Sequence, residues 1–309
     1  MASENRRVIV TGANGMIGSR IVKQLLNDGD TVFAFVRDVE RSRARLPREA
    51  QLVPWSHNAT TGEWRECVAS ADAIVNLAGA TVGRRWTDEQ KHRIRESRIV
   101  GTRNLVDAII SANRPPKVLV NSSAVGYYGA NPVGEITEES PAGDDFLAMV
   151  CRDWEAEAEK AREAGARVVR VRSGVVLDAH EGPFPRMVLP FKLFAGGPLG
   201  SGNQPLPWIH IDDEVAAIIW ALNDAKVDGA INATSPGIVN NREFSRALGR
   251  TMHRPSVLPT PEFAIKLLLG EGSVIVTGGQ WAVPHKLLSM GFRFRHPIVQ
   301  KALDDLLRG

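Results

Sequence analysis

Apolar and polar residues fall in alternating blocks along the first half of the chain. "RRVIVTG" (6–12) is a short apolar run ending in glycine, which predicts a strand. "MIGSRIVKQLLNDG" (16–29) places Ile17, Ile21, Val22, Leu25 and Leu26 at helical spacing, with a glycine just past the end. "DTVFAFVRD" (30–38) predicts a second strand, and "ADAIVNLAGA" (71–80) an apolar run that breaks at Gly79. A long helical stretch (88–113), the strand "KVLVNSSA" (117–124), a helix over 145–165 and the strand "ARVVRVRSGVVL" (166–177) follow. Apolar strands separated by helices build a parallel sheet covered on both faces.

Beyond about residue 180 the texture changes. "EGPFPRMVLPFKLFAGGPLGSGNQPLPW" (181–208) is rich in glycine and proline and predicts long loops around one short helix. "WIHIDDEVAAIIWALND" (208–224) reads as a strand running into a helix, and "GAINATS" (229–235) as a last strand. The expected fold class is α/β, a Rossmann-type doubly wound parallel sheet with a smaller, interleaved C-terminal substrate lobe. Residues 1–180 would form the nucleotide-binding domain, with 205–235 returning to it. Residues 181–204 and 236–309 would form the lobe, and a cleft between the two would hold ligands.

The first strand and helix are joined by "TGANGMIG" (11–18), with Gly12, Gly15 and Gly18 three apart. Gly12 permits a tight turn, Gly15 lets the backbone approach a pyrophosphate, and Gly18 lets the helix pack close to the sheet. The helix N-terminus presents free N–H groups to phosphates. Gly12, Asn14, Gly15, Met16, Ile17 and Gly18 are therefore the expected dinucleotide cradle. The second strand ends in Val36-Arg37-Asp38. A carboxylate there suits the ribose diol of NAD, whereas an arginine suits the 2′-phosphate of NADP. Arg37, with Arg41, Arg43 and Arg45 nearby, favours NADP (NADPH) over NAD.

Composition narrows the picture. The chain has 309 residues, 43% hydrophobic and 24% charged, with a net charge of +3. A charge this small and scattered gives no basis for nucleic-acid binding. No apolar run reaches the length of a membrane span, so no membrane partner is expected. The strand starting near residue 7 leaves no room for a signal peptide, and Cys67 and Cys151 form neither a metal spacing nor a disulfide framework. No metal is expected, and the expected setting is a reducing cytoplasm.

"TGANGMIG", "NLAGA", "SRIVGTRNLV" and "SSAVGYYG", in this order, resemble the extended short-chain dehydrogenase/reductase superfamily. "RRWTDEQKHRIRESR", "GGPLGSGNQPLPWIHIDD" and "VPHKLLSMGFRFRHPIVQKAL" resemble its atypical "epimerase family" branch, from residue 8 to about 303. The resemblance implies NADP-dependent oxidoreductase or sugar-nucleotide epimerase activity on a small, polar, nucleotide-linked substrate. It implies that Leu77, Ala78 and Gly79 line the dinucleotide and that Arg98 reaches it; the alternative for Arg98 is a salt bridge with a neighbouring glutamate. It also implies the superfamily's usual homodimer, through helices 88–112 and 146–164.

One element of that pattern is missing. Ordinary members carry a serine, a tyrosine and a lysine four residues beyond the tyrosine, and an unaided tyrosine is a poor base at neutral pH. Ser123 takes the serine position. Phe146 or Leu147 stands where the tyrosine should be, and Val150 or Cys151 where the lysine should be. Tyr127 and Tyr128, the only tyrosines, are followed four places on by Asn131 and Pro132. Either Ser123 with Tyr127 or Tyr128 handles the proton, or the tyrosines only pack and the protein is an NADPH-binding sensor or regulator without turnover. On the substrate side, Arg85 and its neighbour Arg84 suit an anionic group, Asn203 and Gln204 suit hydroxyls, Trp208 can stack on a ring, and His210 is a candidate acid. Trp208 and His210 could equally anchor the loop, with Asp212 or Asp213 capping the next helix.

Overall fold

A computed structural model describes residues 5–130 and 133–308. In chain order the Rossmann half comprises β1 (Arg7–Thr11), α1 (Met16–Asn27), β2 (Thr31–Val36), α2 (Val39–Arg43), β3 (Gln51–Pro54), α3 (Trp64–Ser70), β4 (Ala73–Asn76), α4 (Asp88–Ile110) and β5 (Val118–Ala124). A 3-10 turn over Val125–Tyr128 leads to β6 (Glu135–Ile136), α5 (Phe146–Glu159) and β7 (Arg167–Ser173). Then come β8 (Val175–Leu177), α6 (Phe184–Lys192), β9 (Pro205–Leu206), β10 (Trp208–His210), α7 (Ile211–Asn223) and β11 (Gly229–Ala233). The remainder is β12 (Val239–Asn240), α8 (Asn241–Met252), α9 (Glu262–Leu269), α10 (Val274–Thr277), β13 (Trp281–Ala282), α11 (His285–Ser289) and α12 (Val299–Arg308).

Seven strands form one parallel sheet in the order β11-β7-β5-β4-β1-β2-β3. The order reverses between β1 and β4, which opens a crevice at their carboxyl ends. The strands read as unbroken apolar runs because both faces are covered. Val8 and Val10 turn toward α1 and α7, where Ile21, Val22, Leu25 and Ile218 bury them. Ile9, between them, turns the other way onto Leu105 and Ile109 of α4 and Trp64 of α3. The sequence pattern alone did not reveal β3 and α3, which are short and weakly patterned.

The smaller lobe has its own core of Phe184, Phe191, Trp208, Phe244 and Leu303. Here the observed boundaries differ from the expected ones. β8 pairs with β10 and β9 with β12, outside the main sheet. Within 205–235, only α7 and β11 rejoin the Rossmann half. Gly174 is where the chain leaves β7 for the lobe. A side chain there would collide with the Pro207 carbonyl group. No helix among the described residues is long and apolar enough to cross a membrane.

Candidate functional site

The glycine turn has the geometry its sequence predicts. Gly12 adopts φ +62°, and a Cβ on it would lie 2.9 Å from the Leu77 carbonyl oxygen. The Gly15 N–H donates to the Gly12 carbonyl at 2.9 Å, and Gly15 caps α1 without a side-chain partner. A Cβ on Gly18 would run into the backbone of Gly12 and Ala13, so only glycine lets α1 sit this close. Asn14 braces the turn by donating to Ser42 Oγ at 2.9 Å, and Ile17 packs into the core under it. The Met16 sulfur lies beside Gly182 of the lobe.

Behind the turn, a buried polar chain ties β1, β4 and β5 together at the floor of the crevice. Thr11 Oγ1 donates to Asn76 Oδ1 (2.6 Å) and accepts from the Leu77 and Ala78 N–H groups (3.1 and 3.2 Å). The Asn76 amide donates to Thr102 Oγ1 and Asn121 Oδ1, and the Trp154 indole N–H also reaches Thr102. Leu77, Ala78 and Gly79 are thereby held at the carboxyl end of β4, facing Gly12 across the switch point.

Arg98 projects from α4 under this segment. Its guanidinium carbon would meet a Cβ on Gly79 at 3.0 Å and lies 5.2 Å from the Trp154 ring centroid. Nη1 donates to the carbonyl groups of Ala80 (3.0 Å) and Ile94 (3.2 Å). Burial holds its pKa below the ordinary arginine value. Arg98 makes no ion pair among the described residues, so the surface salt bridge is not what forms. Arg98 is thus a half-buried cation, without an ion-pair partner among the described residues, beside the carboxyl end of β4.

At the end of β2, Asp38 is engaged elsewhere: its side chain caps α2, accepting from the Arg41 N–H at 2.9 Å. Arg37 is exposed and, like Arg41, makes no ion pair among the described residues. Arg43 and Arg45 do not join them. Arg43 reaches the Ala50 carbonyl, and Arg45 pairs with Glu181.

The expected catalytic unit is where the structure departs most from the sequence reading. Ser123 is buried and donates to Glu155 Oε1 at 2.6 Å. Glu155, on α5, is gripped by Arg172 on β7 through Nε and Nη2, both at 2.9 Å. Arg172 Nη1 donates to the Tyr128 hydroxyl (2.9 Å), which donates in turn to Asn232 Oδ1 of β11 (2.7 Å). Tyr128 is 4% exposed, and burial pushes its pKa up to about 12. Ser123 and Tyr128 therefore serve as members of a closed buried network, not as groups free to meet a substrate. Tyr127 differs. The Arg172 guanidinium lies 3.5 Å from its ring centroid, and its hydroxyl makes no hydrogen bond among the described residues. Cys151 is buried, and burial pushes its thiol up to about 12, as expected of packing. Asn131 and Pro132 lie outside the described residues.

Glu155 and Arg172 escaped the sequence reading, although a signal existed. "VVRVRSG" places Arg170 and Arg172 two apart on a buried strand, hence on one face, and Glu155 and Glu159 are four apart on α5. Arg170 pairs with Glu159 at 2.9 Å, and Arg172 with Glu155.

The expected substrate residues are mostly anchors. Trp208 is fully buried and donates to the Gly237 carbonyl. Gln204 donates to the carbonyls of Leu199 and Val276. His210, not Asp212 or Asp213, caps α7, its Nδ1 accepting from the Asp212 N–H at 3.1 Å. Its ring stacks on His296 at 3.8 Å, and burial with that neighbour lowers its pKa. Asp213 instead ties down the tail by accepting from the Arg295 and His296 N–H groups. Arg85 donates to the Leu267 carbonyl, and Asn203 is exposed.

Residues 8–233 match the model of the NAD dependent epimerase/dehydratase family, and residues 260–306 match a domain of unknown function, DUF1731. The chain belongs to the NAD-dependent epimerase/dehydratase family. Within this family it is 42% identical over 303 residues to the chloroplastic SDR39U1 homolog of Arabidopsis thaliana, covering 97% of this chain and 86% of the relative. It is 35% identical to the epimerase family protein YfhF of Bacillus subtilis, covering 97% of each. The crystal structure of human epimerase family protein SDR39U1 with NADPH superposes with a TM-score of 0.85 at 33% identity, covering 98% of this chain and 99% of the human one. A UDP-glucose 4-epimerase from Thermotoga maritima shares the fold at 19% identity, with a TM-score of 0.78 and 98% of each chain covered.

Proposed function

We propose that the protein binds NADP(H) across the β1–β4 crevice and exchanges hydride with a small polar substrate at the carboxyl end of β5. The observation that carries this reading is Arg98, half-buried and without an ion-pair partner among the described residues, beside Gly79 and opposite the glycine turn. Gly12, Gly15 and Gly18 with the first turn of α1 hold the pyrophosphate. Leu77, Ala78 and Gly79 line the dinucleotide, and Arg98 supplies a positive charge below it. Arg37, with Arg41, takes the 2′-phosphate, since Asp38 is occupied as a helix cap. The human relative, 33% identical and crystallised with NADPH, supports the same choice. Bound NADPH supplies the hydride; the proton chemistry falls to Tyr127, the one candidate hydroxyl outside the closed network.

Arg37→Ala should weaken NADPH by at least about tenfold while leaving NADH nearly unchanged, because a charge-assisted phosphate contact contributes ~1.5–3 kcal/mol. Fluorescence titration with both dinucleotides reads this directly, and equal losses would remove Arg37 from the site. Arg98→Met should weaken both dinucleotides by roughly tenfold with little change in melting temperature, since it removes a half-buried charge that has no ion-pair partner among the described residues. A fall in melting temperature with unchanged affinity would make Arg98 a structural residue.

A second reading, an NADPH-binding regulator without turnover, is favoured by one specific observation: Ser123 and Tyr128 are both held by structural partners. NADPH oxidation against a panel of carbonyls and nucleotide sugars separates the two. Turnover that Tyr127→Phe abolishes supports the enzyme; tight binding with no turnover supports the regulator.

A further inference from the structure

Large exposed apolar side chains are concentrated on one part of the lobe. Leu193, Phe194, Val257, Phe263, Leu267 and Leu268 are each 58–75% exposed, and all lie at the end of α6 or within 257–268. Exposure this high, clustered this tightly, marks an interaction surface. The two segments lie side by side: the Leu258 N–H donates to the Gly196 carbonyl, and Leu199 bridges to Thr260. By contrast, the exposed faces of α4 and α5 are bound together by ion pairs such as Arg95–Asp153 and Arg103–Glu157. The expected dimer helices are thus the polar side of the molecule.

A basic depression of about 620 Å³ adjoins the apolar cluster, lined by Arg246, Arg250, His253, Arg254 and Ser256, with Val257 at its edge. The Arg254 guanidinium carbon lies 4.3 Å from the Phe194 ring centroid, which joins the two surfaces. Arg246, Arg250 and Arg254 make no ion pair among the described residues. Two donors in the lining, Arg254 Nε and Ser256 Oγ, are buried without a hydrogen-bond partner. Gly249, in the lining, lets the following loop pass close to α8: a Cβ there would meet the Arg254 carbonyl oxygen at 2.8 Å.

We propose that this face docks on an anionic phospholipid surface, with the apolar side chains of 193–194 and 257–268 entering the headgroup boundary and the basic depression receiving a lipid phosphate. Apolar side chains beside unpaired cations match such a surface in both components. A second copy of this chain fits less well, since it would bring the same positive charge against itself. The contact is peripheral, as no described helix can span a bilayer. It stands independently of the nucleotide site.

The test is co-sedimentation of the full chain with phosphatidylcholine vesicles, with and without phosphatidylglycerol. Binding is expected only with phosphatidylglycerol and should weaken as salt is raised. Each basic group near an anionic surface is worth about fivefold in partition, so Arg250→Glu with Arg254→Glu should cost at least about 25-fold. Phe263→Asp with Leu267→Asp, at exposed positions, should abolish sedimentation while melting temperature and NADPH affinity hold. The proposal is overturned if neither vesicle binds, if both variants sediment like the parent, or if inorganic phosphate binds at the depression with no vesicle binding. It is overturned equally if the parent self-associates without vesicle binding and the apolar variant is monomeric, which would assign the face to a second copy.

Discussion

Glu155→Ala should destabilise the protein by about 3–5 kcal/mol, because it leaves the Arg172 guanidinium buried without its carboxylate. That is a large fraction of the ~5–15 kcal/mol by which folded domains are typically stable. Burial by itself opposes the charge on Arg172. The hydrogen bonds and charge of Glu155 outweigh it and hold the guanidinium above its ordinary pKa. The same substitution strips Ser123 of its acceptor and loosens the geometry that holds Tyr128. Arg172→Met combined with Glu155→Gln removes both charges and should recover much of the loss. Urea denaturation of the three chains measures this. A cost below about 1 kcal/mol for Glu155→Ala would show that water reaches the pair, and Ser123 and Tyr128 would return as candidates for chemistry.

Glu214 provides the second large effect. It lies on α7 with 0% exposure; Oε1 accepts from Ser173 Oγ at 2.6 Å, and Oε2 has no partner among the described residues. Burial raises its pKa from 4.5 to about 7, against a smaller opposing pull from Ser173. Below pH 4.5 the carboxyl is protonated whether the chain is folded or not, and its burial is uncharged. As pH rises through about 7, the folded protein must either hold a buried charge or lose stability. The stability lost is about 3 kcal/mol at ~1.36 kcal/mol per pH unit. Glu214→Gln should abolish this component and make the protein more stable than the parent at pH 8.5, with little difference at pH 5. Parallel thermal melts across that range check it; equal slopes for the two proteins would mean that the Glu214 carboxylate is already solvated.

Most of the frame was legible in the sequence, and the reason is local. The glycine turn requires particular backbone angles and close approaches that only those residues permit, so Gly12, Gly15 and Gly18 announce themselves. The buried strands show as apolar runs. The site was less legible because it is built from pairs far apart in the chain. Nothing local to Ser123 reveals that a carboxylate 32 residues later will occupy it. Nothing local to Tyr128 reveals that Asn232, 104 residues away, receives its proton. His210 looks like an acid in sequence and becomes a helix cap only once α7 follows it at once. The paired spacings of Arg170 and Arg172 with Glu155 and Glu159 were readable, but only if a buried strand is assumed to match the helix that covers it.

The way the polypeptide is threaded constrains how the cleft can move. It crosses from the main sheet to the lobe at Gly174, returns between His210 and Ile211, leaves again after Ala233, rejoins the Rossmann half over α10, β13 and α11, and crosses once more to the lobe for α12. A lobe tethered by five passages of backbone cannot swing on a single pivot; any closing motion must bend all of them together. For the same reason the lobe is not a cassette. Excising it would sever the main sheet's outermost strand from its neighbours, so recombination by simple end-to-end fusion is closed to this architecture.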